Sequence, residues 1–326
     1  QSSENSILLV PEDYLTIQDA INASIDGDEI IVGPGTYTSL DTDVIRMTDQ
    51  AVWIHSSDGP ELTFIDGEDS RRGVMCANSG VILEGFTVTN CSLSGMRNYF
   101  SDPMVRNCYF IQNYNGAGGG VYNRNSSPTF QNCVFQGNIA TTGNGGGIHN
   151  YYSGPIVENC EFNSNEAVSS GALSTEGGGA HYIDVTITDS IFTNNVATDS
   201  GGAILFASAN SSGHFIQNSR INNNSASVVG GGISTYNWDF DLLDSTICGN
   251  FPDQVNGSFY LIGECNNVRE MCDCPDVNCD SEINIVDILA VLDQWGEMDS
   301  FADFSFDGIV DVSDILVVIS NWGPCE

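Results

Sequence analysis

The chain has 326 residues, and its 43 acidic residues face only eight basic ones, all arginine, which gives a formal net charge of −35. That charge disfavours nucleic acids and anionic membrane surfaces as partners and favours divalent cations. No stretch of about 18 apolar residues is present, so no membrane insertion is predicted. The richness in Gly, Asn, Ser and Thr is typical of a turn-rich extracellular β protein, and the start at Gln1 without a basic and apolar leader fits a secreted chain in its mature form.

A short helix is predicted near the N-terminus, in the segment TIQDAINAS. Thr16 and Asp19 have the spacing of a capping box, and Ile17, Ala20 and Ile21 fall on one helical face. A stack of strands exposes unpaired edges and core at its ends, so we expect this helix to close the end of a β domain over residues 1–265.

The middle of the chain is a repeat of 25 to 30 residues. Six segments align and end at Asn113, Asn138, Asn165, Asn195, Asn224 and Asn250: PMVRNCYFIQN, PTFQNCVFQGN, PIVENCEFNSN, VTITDSIFTNN, HFIQNSRINNN and FDLLDSTICGN. A period of this length predicts coils stacked about 4.8 Å apart, with the terminal asparagine amides stacked in a turn. Strand alternation predicts two inward ladders, one apolar (Phe110, Phe135, Phe162, Phe192, Ile221, Ile247) and one of small residues (Cys108, Cys133, Cys160, Ser190, Ser219, Ser245).

A glycine-rich element recurs between these segments. Its copies are GGGVYN from Gly118, GGGIHN from Gly145, GGGAHY from Gly177, GGAILF from Gly201 and GGGIST from Gly230. This alignment predicts that His149 and His181 stack on adjacent coils, about 5 Å apart, where two imidazoles could bind a metal or a substrate. The favoured alternative is a tolerated side-chain ladder, because Tyr122, Leu205 and Ser234 share the column.

The cysteines fall into classes by position. Cys108, Cys133 and Cys160 are expected to be inert core residues, because burial raises the pKa of a thiol. The cysteines around the end of the repeat are expected to form disulfides, Cys248 with Cys265 and Cys274 with Cys325. A zinc site at Cys272, Cys274 and Cys279 is the alternative, although no nearby histidine supports it.

Near the C-terminus an acidic pattern occurs twice, 27 residues apart, and each copy leads into an apolar helical stretch. Oxygen-bearing side chains stand at positions 1, 3, 5 and 12 of each loop: Asp276, Asn278, Asp280 and Asp287, then Asp303, Ser305, Asp307 and Asp314. Such loops offer the convergent oxygens that a hard cation needs, so two bound Ca2+ ions are predicted. Without a cation the acidic groups would repel one another, because this segment has no basic residue.

The N-terminal helix followed by DGDEIIVGPGTYT resembles the start of right-handed parallel β-helix proteins of the pectate-lyase-like superfamily. The glycine and FxxN motifs resemble the repeat of bacterial polymorphic outer-membrane proteins, which are surface-exposed β-helices of the adhesin type. The likeness covers about residues 5 to 262 and implies an all-β solenoid, a right-handed single-stranded parallel β-helix. Enzymes on this scaffold use clustered aspartates with a basic residue. This chain has no lysine and no matching aspartate cluster beside an arginine, so no catalytic residue is predicted.

The doubled loop and helix resemble dockerin, a paired F-hand module that binds two calcium ions and docks onto a cohesin partner. The likeness covers Cys274 to Cys325 and implies a small α-helical domain over residues 272–326. It implies further ligands: the Glu282 carbonyl, Asn284, the Ile309 carbonyl and Asp311. It also implies that the residues just before position 12 contribute to partner recognition: Ile285, Val286, Val312 and Ser313.

Together these features favour a non-catalytic extracellular structural or cell-surface protein that assembles through its calcium module. The partner would be a cohesin-like protein or another copy of the same chain, and contact between copies would give a fibre. The alternative is a secreted polysaccharide lyase or glycoside hydrolase, or a glycan-binding protein, anchored through the dockerin-like module.

Overall fold

The computed structural model describes residues 5–177, 183–208, 213–236, 239–262, 266–269, 282–297, 302–305 and 309–324. Up to residue 269 the chain winds into a parallel β-solenoid of about nine turns. A regular turn contributes one strand to each of three long sheets, here called A, B and C, and five turns add a two-residue strand to a short sheet D. The predicted all-β parallel solenoid is confirmed.

The strands of each sheet follow one another in chain order, turn by turn. Sheet A comprises Ile7–Val10, Glu29–Val32, Trp53–Ser56, Ile82–Glu84, Met104–Arg106, Thr129–Gln131, Ile156–Glu158, Thr186–Thr188, His214–Gln217, Phe240–Leu243 and Phe259–Ile262. Sheet B comprises Gly35–Tyr37, Thr63–Asp66, Thr87–Thr89, Tyr109–Ile111, Val134–Gln136, Glu161–Asn163, Ile191–Thr193, Arg220–Asn222, Thr246–Cys248 and Asn267–Arg269. Sheet C comprises Asp43–Thr48, Arg72–Ala77, Met96–Tyr99, Val121–Arg124, Ile148–Tyr151, Leu173–Gly177, Ile204–Ser208, Ile233–Thr235 and Val255–Asn256. Sheet D comprises Tyr114–Asn115, Ile139–Ala140, Glu166–Ala167, Val196–Ala197 and Ser225–Ala226.

The predicted apolar ladder forms the core behind sheet B. Its six side chains pair in register from coil to coil and are fully buried. The rings of Phe135, Phe162 and Phe192 stack with centroids 4.5 Å apart, close to the spacing of parallel strands. Stacking of identical rings therefore reinforces the strand register.

The predicted ladder of small residues lies at the corner between sheets A and B. Cys133 N–H donates to Cys160 Sγ at 3.4 Å, and Cys160 N–H donates to Ser190 Oγ at 3.1 Å. The residue just before each of these small residues is Asn or Asp in the left-handed region, as at Asn132 with φ 54°. Short polar side chains tolerate this conformation, which explains the repeated Asn and Asp.

The six terminal asparagines form a continuous ladder of buried amides. Asn113 Nδ2 donates to Asn138 Oδ1 at 3.1 Å, and Asn138 Nδ2 donates to Asn165 Oδ1 at 3.0 Å. The same bond links the remaining asparagines up to Asn250. Gln254 ends the ladder, since its Oε1 accepts from Asn250 Nδ2 at 2.9 Å. The prediction that these amides bond to one another is confirmed.

The central glycine of the recurring glycine-rich element is closely surrounded by backbone before sheet C. A Cβ on Gly146, Gly171 or Gly202 would lie 2.5, 2.6 and 2.1 Å from backbone oxygens. In the coil of Gly171 both flanking positions carry a side chain, Ser170 and Ala172. The structural equivalent of the triple glycine at 145–147 is therefore Ser170-Gly171-Ala172, which places Leu173 opposite Ile148. The prediction that the glycine run beginning at Gly177 is the aligned copy is wrong, because Gly177 ends the sheet C strand of that coil.

Helix α1, Ile17–Ala23, closes the N-terminal end as predicted. Thr16 Oγ1 accepts from Asp19 N–H at 3.0 Å, and the buried residues are the predicted Ile17, Ala20 and Ile21. Two further helices lie near the C-terminus, α2 over Ile285–Asp293 and α3 over Val312–Ser320. In the part of the chain that the structure describes, none of the helices has the length and apolar character needed to cross a bilayer.

Candidate functional site

The structure describes part of each predicted calcium loop. Asp276, Asn278 and Asp280 of the first loop and Asp307 of the second lie outside the described residues, and Glu282 is described only as part of a strand. Asn284 and Asp287 are described in the first loop, and Asp303, Ser305, Ile309, Asp311 and Asp314 in the second.

Asp314 is the centre of the described second loop. Its side chain is fully buried, and its carboxylate accepts from Ser305 N–H at 2.7 Å and from Asp311 N–H at 2.8 Å. Burial alone would raise the pKa of Asp314, but these backbone hydrogen bonds outweigh burial and lower it. Asp311 caps helix α3 by accepting from Ser313 N–H at 2.6 Å. The carboxylate of Asp314, at position 12, is thus held ionised and faces into the loop.

The first loop repeats this arrangement. Asp287 is fully buried and accepts from Asn284 N–H at 2.7 Å, while Asn284 Oδ1 accepts from Val286 N–H at 2.8 Å and caps helix α2. Each helix therefore begins with a capping box whose second member is the position-12 aspartate.

The two copies are joined by reciprocal backbone pairing. Ile283 in the first loop pairs with Gly323, just beyond α3. Val310, the equivalent residue of the second loop, accepts from Gly296 N–H at 2.8 Å, just beyond α2. Ile283, Val291, Val310 and Val318 then form the small buried core between the copies. Because equivalent residues play equivalent parts, the repeat in the sequence is also a repeat in the structure.

The helices leave the same apolar positions exposed in both copies. The pairs are Ile285 and Val312, Leu289 and Leu316, Leu292 and Ile319, and Trp295 and Trp322. Leu289 and Leu316 are 56% and 59% exposed. Among the predicted recognition residues, Ile285, Val286 and Val312 are exposed and Ser313 is partly exposed. We call the eight apolar residues of these four pairs, from Ile285 and Val312 to Trp295 and Trp322, the exposed helix face.

The second loop contacts the solenoid through Arg220 on sheet B. The Arg220 guanidinium donates to the Asp303 carbonyl at 2.7 Å and lies 5.8 Å from the centre of the Phe304 ring. Burial lowers the pKa of Arg220 to about 10, against the opposing effect of Asp303 and Asp314. The arginine therefore remains charged at neutral pH. This contact could not be predicted from a local sequence pattern, because it joins residues 83 positions apart.

The donor atoms of the described loop residues are all oxygens, which is the set that Ca2+ prefers. Within the described residues, however, no three of His, Cys, Asp or Glu come close enough together to hold a metal ion. The middle ligands of both loops lie outside that part of the chain, so calcium binding stays a prediction.

Ser174 occupies the position beside His149 where His181 is predicted. His149 pairs with Ser174 on the next coil, at 2.8 Å from Nδ1 to Oγ, because the coil is aligned through Gly171 and not through Gly177. His181 itself lies outside the described residues. Tyr122, Leu205 and Ser234 do share the column with His149, as predicted. This column is a mixed ladder of polar and apolar side chains.

The described thiols of the core are unpaired and buried. Cys76, Cys91, Cys108, Cys133 and Cys160 are all free. Burial raises the pKa of Cys76 and Cys91 to about 12 and that of Cys108 and Cys133 well above the usual value. Cys248 is disulfide-bonded, and its partner lies outside the described residues. The two predicted disulfides therefore stay predictions: Cys248 with Cys265, and Cys274 with Cys325. The same holds for the alternative zinc site.

Comparison with known families supports the solenoid. Residues 5–162 match the family model of the right handed beta helix region. Residues 189–207 match the Chlamydia polymorphic membrane protein repeat. No curated protein matches the chain. The first match agrees with the solenoid fold, and the second lies within the repeat.

Proposed function

We propose that this protein is a non-catalytic extracellular or cell-surface structural protein, in which the β-helix is a rod and the C-terminal helix pair attaches it to a protein partner. The surface location is supported by the match to a polymorphic membrane protein repeat. The attachment is supported by the exposed helix face, whose apolar residues stand at the same positions in both copies. Contiguous exposed apolar surface of this kind marks interaction sites.

In this proposal the helix pair is a dockerin-like module that binds two Ca2+ ions. The ions would be held by the acidic loops, with Asp287 and Asp314 at position 12 of the two loops. Calcium would supply the positive charge that this acidic segment lacks and so allow the loops to close around it. The closed loops keep α2 and α3 in the orientation that exposes their apolar residues.

The partner that fits this module best is a cohesin-like protein, with Ile285, Val286, Val312 and Ser313 contributing to recognition. The test measures binding of the full-length protein to a panel of cohesin domains, in Ca2+ and in EDTA. Tight binding that is present in Ca2+ and absent in EDTA supports the proposal. Leu289→Asp combined with Leu316→Asp should abolish binding, because each change buries a charge in the contact.

A matched control places the same substitutions on the rod. Leu15 and Leu40 are 84% and 99% exposed, so Leu15→Asp with Leu40→Asp makes the same chemical change away from the helices. This variant should bind as the wild type does. A second copy of the chain is the other partner to test, by sedimentation velocity. Assemblies of the chain that dissociate when Ca2+ is chelated would support self-association through the module. If the protein binds neither a cohesin domain nor a second copy of itself in Ca2+, the proposal is overturned.

A second candidate function is a glycan-active or glycan-binding protein. One observation favours it: arginines and tyrosines alternate on the outer face of sheet C. Turnover of acidic or neutral polysaccharides in an activity screen would contradict the non-catalytic proposal.

A further inference from the structure

The outer face of sheet B is covered at its C-terminal end. One outward column of this sheet runs in register from Gln136 through Asn163 to Asn222 and Cys248. Gln136 is exposed, whereas Asn222 and Cys248 are 0% and 1% exposed although they point away from the core. Arg220 lies in the same strand as Asn222 and also points outward. We call Arg220, Asn222 and Cys248 the covered end of sheet B.

The second loop is seated on this surface through two contacts with Arg220. The guanidinium donates to the Asp303 carbonyl at 2.7 Å and lies 5.8 Å from the centre of the Phe304 ring, within the range of cation–π attraction. Phe304 also packs against the small buried core between the two helices. The contact therefore joins the rod to the body of the helix pair as well as to the loop.

Electrostatic attraction between Arg220 and the second loop depends on the charge of that loop. Asp303 and Asp314, at positions 1 and 12, are the groups whose negative charge acts on the Arg220 guanidinium. A Ca2+ ion held by these carboxylates would cancel their negative field at Arg220 and place two positive charges beside a third. Because coupling between two binding events is reciprocal, Arg220 would weaken Ca2+ binding as much as Ca2+ weakens the contact.

Asn222 shows that covering this end of the sheet has a cost. Among the residues that the structure describes, neither its amide nitrogen nor its amide oxygen has a hydrogen-bond partner, and both are buried. A buried amide that has lost its water and gained no partner destabilises the arrangement that buries it. Opening the covered end would let water bond to Asn222. The charge of Arg220 therefore favours the closed arrangement, and the amide of Asn222 opposes it.

We propose that the covered end of sheet B is an intramolecular docking site for the second loop, and that docking and Ca2+ binding by this loop oppose each other. Without Ca2+ the helix pair rests on the rod, with Arg220 supplying positive charge to the acidic loop. Ca2+ takes over that role and releases the helix pair from the rod, which frees it to reach a partner. This inference rests on the proposed function, because it concerns the regulation of the proposed calcium module.

The first measurement is the Ca2+ affinity of the full-length protein, by isothermal titration calorimetry. Arg220→Gln should raise the affinity of one site about tenfold, whereas Arg220→Lys, which keeps the charge, should bind Ca2+ much as the wild type does. Arg71→Gln is the matched control, because it removes an arginine of the rod that pairs with Glu68. In a protein that carries Asp314→Asn, which disables the second loop, Arg220→Gln should leave the remaining Ca2+ affinity unchanged.

The second measurement is the distance between the rod and the helix pair, by electron paramagnetic resonance of two spin labels. Gln136→Cys and Ser320→Cys place the labels at exposed positions on sheet B and on α3, and the described free thiols are buried. The distances should be narrowly distributed in EDTA and broadly distributed in Ca2+. With Arg220→Gln they should be broad in both.

The outcomes separate this inference from the proposed function. If the wild type binds Ca2+ and Arg220→Gln leaves the affinity unchanged or lowers it, the inference is overturned and the calcium module stands. Distances that narrow in Ca2+ would likewise show that calcium strengthens docking, contrary to the inference. If no variant binds Ca2+, the calcium module and the inference fall together.

Discussion

Acid should destabilise the β-helix through two buried histidines. His149 and His214 are 4% and 0% exposed, and burial lowers the pKa of each from 6.5 to about 4. For His214 the geometry gives a direct reason, because its Nδ1 accepts from Val185 N–H at 3.2 Å and cannot also carry a proton. Its ring stacks on Phe206, with centroids 4.1 Å apart. A charge on either ring therefore opposes folding.

The direction of the effect follows from proton uptake. The unfolded chain protonates each histidine below about pH 6.5, whereas the folded chain does so only below about pH 4. Stability is therefore full above pH 6.5 and is lost as the pH falls toward 4. A shift of one pKa unit corresponds to about 1.4 kcal/mol, so each histidine lowers the free energy of unfolding by about 2 kcal/mol at pH 5. The two together would remove a large part of the stability of an ordinary domain, which is about 5–15 kcal/mol.

The measurement is equilibrium urea unfolding at pH 8 and at pH 5, at constant ionic strength. His149→Asn and His214→Asn place an amide oxygen near the position of Nδ1 and remove the titrating group. Each should lower stability at pH 8, because a smaller side chain leaves a void. Between pH 8 and pH 5, however, the free energy of unfolding of each variant should fall by about 2 kcal/mol less than that of the wild type.

Leu205→Val is the matched control, since Leu205 is buried in the same column as His149 and does not titrate. It should lose the same stability between the two pH values as the wild type. If a variant that combines His149→Asn with His214→Asn loses as much unfolding free energy as the wild type on acidification, the histidines are not the responsible groups and the reasoning is wrong.

Three further predictions concern the ladders and the C-terminal contact. Asn165→Leu should lower the free energy of unfolding by about 4 kcal/mol, because it removes four buried hydrogen bonds; equal effects of Asn165→Leu and of Asn163→Leu on the outer face would contradict this. Arg220→Gln should release the second loop from sheet B, so limited proteolysis should cleave the C-terminal segment faster, and an unchanged rate would refute a holding role. The thiols of Cys108 and Cys133 should resist Ellman's reagent until urea unfolds the chain, and prompt reaction in the native protein would contradict their burial.

The repeat could be predicted from sequence because each of its features recurs at one position per coil. The buried phenylalanines and the terminal asparagines keep a constant distance from each other, so a single alignment reveals both ladders. The glycine element was harder, because one coil keeps only the central glycine, Gly171, between Ser170 and Ala172. The sequence therefore made the run at Gly177 look like the repeat, when the backbone contacts at Gly171 show the true alignment.

The candidate sites could be predicted only in part. The capping aspartates and apolar helix positions of α2 and α3 recur 27 residues apart and were visible in the sequence. The alternation of Arg97 with Tyr122 and of Arg124 with Tyr99 appears only once the coils are in register. The Arg220 contact requires the path of the chain beyond the last coil.

The asparagine ladder has a direction, and that direction bears on how the rod can grow. In every bond between two asparagines of the ladder, the amide N–H of one coil donates to the amide oxygen of the next coil toward the C-terminus, so these bonds align along the axis and polarise one another. The other N–H of each amide donates to a backbone carbonyl of the preceding coil. Gln254 satisfies the last donor and returns its own Nε2–H to the Asn250 carbonyl at 3.1 Å. The row of amides is therefore closed at its C-terminal tip and offers no template for a second rod placed end to end.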